Sequence, residues 1–183
     1  MVSAPDGMVV AVCRESTHSF SKSACAAIEL QSGHGVVGDA HAGAKVRHRS
    51  RVRVDPNQPN LRQVHLLHAE LFDELVPEGY SLAAGDLGEN ITTRGIDLLG
   101  LSRDTVLRLG PHSTVRVTGL RNPCSQIESF APGLLAKVAI KTPAGIRRKA
   151  GIMGVVVDGG MLSPGDAITV IERPRTHIAL ERV

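Results

Sequence analysis

Aromatic residues are almost missing from this chain, which has no tryptophan, one tyrosine and three phenylalanines. Single-stranded nucleic acid is usually gripped by stacked rings, so their scarcity argues against that class of partner. Cysteine is scarce as well. Cys13, Cys25 and Cys124 are odd in number, far apart and in no CxxC spacing, which speaks against a disulfide framework and a cysteine-rich zinc site and fits a reducing, cytoplasmic compartment. Long hydrophobic runs are missing too. The longest early one is Met8 to Cys13, whereas a membrane-spanning helix needs about 20 apolar residues. No basic patch precedes an apolar stretch near Met1, so neither a signal peptide nor a membrane anchor is expected.

What is present is an ordinary globular composition: 183 residues, 42% of them apolar and 21% charged. Such a chain buries about 70% of its unfolded surface without staples, and no linker divides it, so 1–183 reads as a single domain. The net charge of +3 is unevenly spread. Lys45, Arg47, Arg49, Arg51 and Arg53 fall at every second position and would share one face of an extended segment. Such a stripe suits a nucleic acid, a membrane surface or a phosphorylated small molecule, or is simply a solvated loop, and Arg147-Arg148-Lys149 leaves the same choice.

Apolar runs rich in Val and Ile are short and bounded by Gly, Pro, Asp and Asn, which predicts a mainly β fold. Strands are expected at Met8 to Arg14, Ala26 to Gln31, Gln63 to Leu66, Asn90 to Thr93, Thr105 to Leu109, Thr114 to Leu120, Gly151 to Val157 and Ala167 to Glu172. Eight short strands suit a barrel or two packed sheets. Helical spacing marks His68 to Val76, and Pro123 to Phe130 carries a helix start signal. Gly159-Gly160 is expected to turn a hairpin between the strand at 151–158 and the last strand. Asp55 to Asn60 is a proline-punctuated loop that, with the basic run, makes a long excursion.

The most informative stretch for chemistry is Arg121-Asn-Pro-Cys-Ser-Gln-Ile-Glu128. With Asn122 as N-cap and Pro123 in the first helical position, Cys124 falls in the first turn, where unpaired N–H groups and the nearby Arg121 favour a thiolate. A thiolate is the better nucleophile and the better soft-metal ligand; the alternative is a small buried hydrophobe. Cys13 and Cys25 sit among apolar neighbours and read as packing. Eight histidines offer Asp39-x-His41 and His65-x-x-His68 but no HExxH, and His65 reads as a structural histidine. Val37-Gly-Asp-Ala-His-Ala-Gly43 is a turn able to present backbone N–H groups to an anion. Gly85-Asp-Leu-Gly-Glu-Asn-Ile91 brings Glu89 and Asn90 to a strand end. No nucleotide-binding glycine loop of the P-loop or GxGxxG type occurs.

Taken in order, Val37–Gly43, Arg62-Gln-Val-His-Leu-Leu67, Ala84–Thr92, Arg121-Asn-Pro-Cys124, Gly151-Ile-Met-Gly154 and Gly165-Asp166 resemble the MOSC domain, the C-terminal domain of molybdenum-cofactor sulfurases, in its standalone bacterial form. The resemblance implies a β-barrel-like fold with a few short helices. It implies that Cys124 either ligates the molybdenum of a bound pterin cofactor (molybdopterin) or carries sulfur as a persulfide. Gly38, Asp39, His41, Glu89, Asn90, Arg121 and Asn122 would then surround the cofactor. Three functions follow as expectations: a molybdenum-dependent oxidoreductase reducing N-hydroxylated or N-oxygenated small molecules with electrons from a separate donor protein; a sulfur carrier charged by a separate cysteine desulfurase; and a non-catalytic ligand-binding module. None involves nucleic acid or a membrane.

Overall fold

The structure, a computed structural model, describes residues 4–47 and 52–183. Seven strands close into a barrel. They are β1 (Gly7–Arg14), β5 (Val64–His68), β6 (Ile91–Arg94), β7 (Val106–Leu109), β8 (Ser113–Leu120), β11 (Ile152–Asp158) and β13 (Ala167–Glu172). Around the barrel the order is β13, β7, β8, β11, β5, β6, β1, and β1 returns to β13 through Gly7 opposite Ile168. Closure leaves the barrel without an unpaired edge. Short β2 (Ser23–Cys25) adds to β1 outside the ring. A second small sheet pairs β3 (Ile28–Gln31) with β4 (Gly35–Val36) and with β12 (Gly160–Leu162). A hairpin of β9 (Ala139–Thr142) and β10 (Gly145–Arg148) stands apart.

Each of the eight expected strands has a counterpart. The alternation that a one-sided sheet imposes is visible in β3, where Ile28 and Leu30 are buried and Glu29 and Gln31 exposed. β5 breaks the alternation and is buried from Val64 to Leu67. Its two faces explain this, since Val64 and Leu66 belong to the core inside the barrel while Leu67 belongs to a second core under the helices. That second core joins Leu71 and Leu75 of α1 (Glu70–Leu75), Ile127 of α2 (Ser125–Phe130) and Leu134 and Val138 of α3 (Leu134–Val138). No helix among the described residues is long and apolar enough to cross a membrane.

Two expectations are corrected. Gly159-Gly160 does not turn a hairpin into the last strand; Gly160 begins β12, which crosses to pair with β3, while β13 pairs with β7 and β1. Barrel closure requires this, because β11 already has β8 and β5 on its two sides. The second helix starts at Ser125, with Cys124 rather than Asn122 as its cap. Tertiary pairing extends the chain past β8: Arg121 N donates to Gly151 O at 3.0 Å, and Arg148 Nε donates to Asn122 Oδ1 at 3.4 Å. α3 and the strands β2, β4, β9, β10 and β12 lack signals of their own, being of two to five residues each.

The parallel pair β5 and β6 decides where the site lies. Parallel neighbours need a crossover, and residues 69–90 supply it, with α1 first and the Gly85–Asn90 loop last. The excursion that follows β4 is tied at its base by Val46 N to Gln58 O (2.9 Å) and Asn60 N to Ala44 O (3.0 Å). The centre of the basic run, residues 48–51, lies outside the described residues.

Candidate functional site

A cavity of about 270 Å³ opens between the crossover loop, the 38–43 turn and the segment leading into α2. Its buried floor includes Lys22, His65, Asn90 and Arg121, and its rim includes the exposed Asn122 and Gln126. Cys124 lies half-buried at that rim, its Sγ donating to Gln126 Oε1 at 3.6 Å. Ser19, His41 and Arg62 add to the polar lining, and no carboxylate is among the described lining residues.

Polar cross-links hold these groups. Asp39, itself behind the cavity wall, accepts through Oδ2 from Lys22 Nζ (2.5 Å), Asn90 Nδ2 (3.0 Å) and Glu15 N (3.2 Å), and through Oδ1 from His41 N (2.9 Å). Burial alone would raise the Asp39 carboxyl, but the His41 contact and the Lys22 charge outweigh it and hold the group well below the usual carboxylate range. Lys22 is thereby held as a buried cation facing the cavity, with Nζ also 3.4 Å from His41 Nδ1. Asn90 is satisfied at both ends of its amide, donating to Cys13 O as well (3.2 Å) and accepting from His65 N (3.2 Å), so it joins β1, β5 and the turn.

Glu89 also stands behind the wall. Its Oε1 accepts from Gly85 N (2.7 Å) and Thr92 Oγ1 (3.1 Å), which curls the loop and delivers Gly88 and Asn90 to the cavity. Burial pushes this carboxyl up, and Oε2 has no partner among the described residues. His65 is fully enclosed, with Nε2 2.7 Å from Ala150 O. Burial, and then the Arg121 charge, depress its imidazole to about 3, so it is a neutral structural histidine, although its ring lines the cavity.

Arg121 is the least compensated group. Burial depresses its guanidinium, opposed by Cys124 and Glu89, yet arginine stays charged in proteins. Its Nη1 is buried with no hydrogen-bond partner among the described residues, and its guanidinium carbon lies 5.8 Å from the Phe20 ring centroid. A buried cation left this way costs several kcal/mol, of order 3 to 5 where a partner is lost, so the position is suited to an incoming anion.

Of the residues singled out by sequence, the fold brings His41, Asn90, Arg121, Asn122 and Cys124 to one cavity, whereas Gly38, Asp39 and Glu89 do not line it. Lys22 and Arg62 are lining cations that no motif marked as such. Cys13 is buried and its thiol is pushed up to about 12 by burial and then by Glu89, which removes it as a nucleophile. Cys25 is half-buried against the barrel core. No cluster of three His, Cys, Asp or Glu suited to a metal ion occurs among the described residues.

The barrel agrees with what comparison with known proteins finds. The chain matches the MOSC domain over residues 38–169 and belongs to that family. Similar solved structures include the YuaD protein of Bacillus subtilis, at a TM-score of 0.67 and 23% identity over 90% of this chain and 92% of that one. They also include YiiM of Geobacillus stearothermophilus (0.60, 16%, over 95% and 77%) and YiiM of Escherichia coli (0.62, 16%, over 93% and 73%). These likenesses concern the fold. A comparison with curated proteins found no match.

Proposed function

We propose that the cavity holds a phosphorylated pterin cofactor of molybdenum with Cys124 as a ligand to the metal, and that the protein reduces N-hydroxylated or N-oxygenated small molecules. The observation that carries this reading is the orphaned, buried Arg121 Nη1 in a cavity that has no carboxylate among its described lining residues and a thiol at its rim. That donor set fits an anionic ligand with a soft metal at one end. When bound, the metal supplies the two-electron chemistry. In balance, an N–OH group takes two electrons and two protons and leaves as N–H and water, the electrons coming from a flavin- or ferredoxin-like donor protein.

The chain's own residues do the rest. Arg121, Lys22 and Arg62 neutralise the phosphate and the anionic edge of the ligand, and Asp39 and Asn90 fix Lys22 and the loop so that little reorganisation accompanies binding. Cys124 presents its sulfur at the rim, on the side a small substrate would approach. His65, neutral and bonded to Ala150 O, shapes the floor without exchanging protons near neutral pH.

Metal analysis of protein purified without oxygen from a host that makes the cofactor tests this reading. Stoichiometric molybdenum in the wild type, lost in Cys124→Ala, is expected. Metal absent from both would overturn it in favour of the persulfide carrier, a reading supported by the partial exposure of Cys124. For that carrier, intact mass after treatment with a cysteine desulfurase and cysteine would show one added sulfur, absent in Cys124→Ala.

A further inference from the structure

A second, larger groove of about 900 Å³ lies beside the cofactor cavity and takes no part in the reading above. The two are contiguous through a ring pair: His41 lines the cavity, His18 lines the groove, and their centroids are 5.3 Å apart. Besides His18, the groove is lined by His34, Lys45, Arg47 and Arg53, with no carboxylate among the lining residues. Ala44, Val46, Val52 and Pro56 give the same groove an apolar lining.

The groove is a built feature. Asn60, only 2% exposed, donates from Nδ2 to His41 O (3.0 Å) and to Gly43 O (2.9 Å), so one side chain sets the cavity wall and the groove wall together. Gly43 N donates to His34 O at 2.7 Å. Gly43 has φ +148, and a Cβ there would stand 2.9 Å from Arg47 Nε, so the glycine admits the arginine arm. Lys45 Nζ is oriented by Asn57 Oδ1 at 2.8 Å.

We propose that this groove is a nucleotide subsite: its bases take a phosphate, and its apolar lining takes a nucleoside. Cations without competing carboxylates select phosphate, and an apolar lining in the same groove selects a ligand that carries an apolar ring as well as that phosphate. Two sources have this chemistry, a nucleotide tail attached to the pterin cofactor and a free nucleotide. The tail rests on the cofactor reading above, whereas free nucleotide binding does not.

Calorimetric titration of cytidine, guanosine and adenosine monophosphates into cofactor-free protein, against inorganic phosphate, tests the site itself. At least one nucleotide is expected to bind more tightly than phosphate, and Arg47→Ala/Arg53→Ala is expected to weaken it roughly tenfold or more. All the substituted side chains are exposed, so the fold is expected to survive, and circular dichroism checks this. Nucleotide released on acid hydrolysis of extracted cofactor in proportion to molybdenum identifies the tail as the source; binding of free nucleotides with none released identifies a free ligand. Binding no tighter than phosphate, or insensitive to the double variant, together with no nucleotide in the extract, overturns the proposal whether or not Cys124 holds molybdenum. Absence of molybdenum with intact nucleotide binding overturns only the cofactor reading.

Discussion

Asp39 does more for the site than the residues that line it. It holds Lys22 in the cavity wall and ties the 38–43 turn to Glu15, just past β1, and to the Gly85–Asn90 loop. Asp39→Asn would leave Lys22 as a buried, unpaired cation, so a loss of about 3 kcal/mol or more is expected in urea unfolding at neutral pH. The pH dependence has a definite sign. The folded carboxyl lies below its unfolded value of about 4, so its contribution is present above that value and is lost as acid is added below it. The acid limb of the stability profile should therefore be flatter in Asp39→Asn than in the wild type. His65 acts in the same direction over a different window. With its imidazole depressed from 6.5 to about 3, the unfolded chain binds the extra proton, and stability falls as the pH drops from 6.5 toward 3. Its imidazole resonances should stay those of a neutral ring down to about pH 4; protonation near 6.5 would refute the burial described here. Of the Asp39 contacts only the one to His41 is local enough to be legible in the sequence; Glu15, Lys22 and Asn90 come from other segments.

At the scale of elements, the bend that delivers Arg121 and Cys124 depends on the start of β11. Gly151 has φ +86, and a Cβ there would fall 2.2 Å from Leu66 O and 2.9 Å from His65 Nε2. Both atoms belong to β5, which pairs with β11 through Leu66 and Ile152. Backbone cannot yield as a side-chain tip would, so Gly151→Ala should cost about 3 kcal/mol in thermal unfolding and lower cofactor or anion retention with it. The seven barrel strands and β3 were legible as short apolar runs bounded by turn residues. The helix start was not, since Asn122-Pro123 carries a sound local cap signal that the Arg121–Gly151 hydrogen bond overrides by one short extension of the strand. The short partners β4, β9 and β10 exist only because a neighbour completes their ladders.

For the molecule as a whole, the last ten residues close what the barrel leaves open. Arg103 N donates to Ile178 O (2.9 Å), Leu120 N to Glu181 O (2.7 Å), and Leu180 packs against the barrel core. Gly119 lies so close beneath this segment that a Cβ there would stand 2.4 Å from Glu181 O. Removal of residues 174–183 should therefore lower the Tm by several degrees, of the order of 4 to 8 °C for each kcal/mol lost in a small domain and less in one of this size, while the cavity on the other segments keeps its anion affinity. An unchanged Tm would mean that the tail merely rests on the surface.

What the sequence determined by itself was the β-rich class, the positions of the long strands and the singularity of Cys124, because alternation, turn residues and residue chemistry are local properties that survive any packing. The tertiary structure alone decided which cations meet that thiol. Lys22, Arg62 and Arg121 are separated along the chain and share one cavity, with no carboxylate among its described lining residues, only after the barrel closes and the β5–β6 crossover folds back. The same closure buried Arg121 without a partner at Nη1 and set Asp39 and Glu89 behind the wall rather than in it. Spacing cannot report such an imbalance, since desolvation and charge pairing depend on distances in space between groups that no local pattern connects.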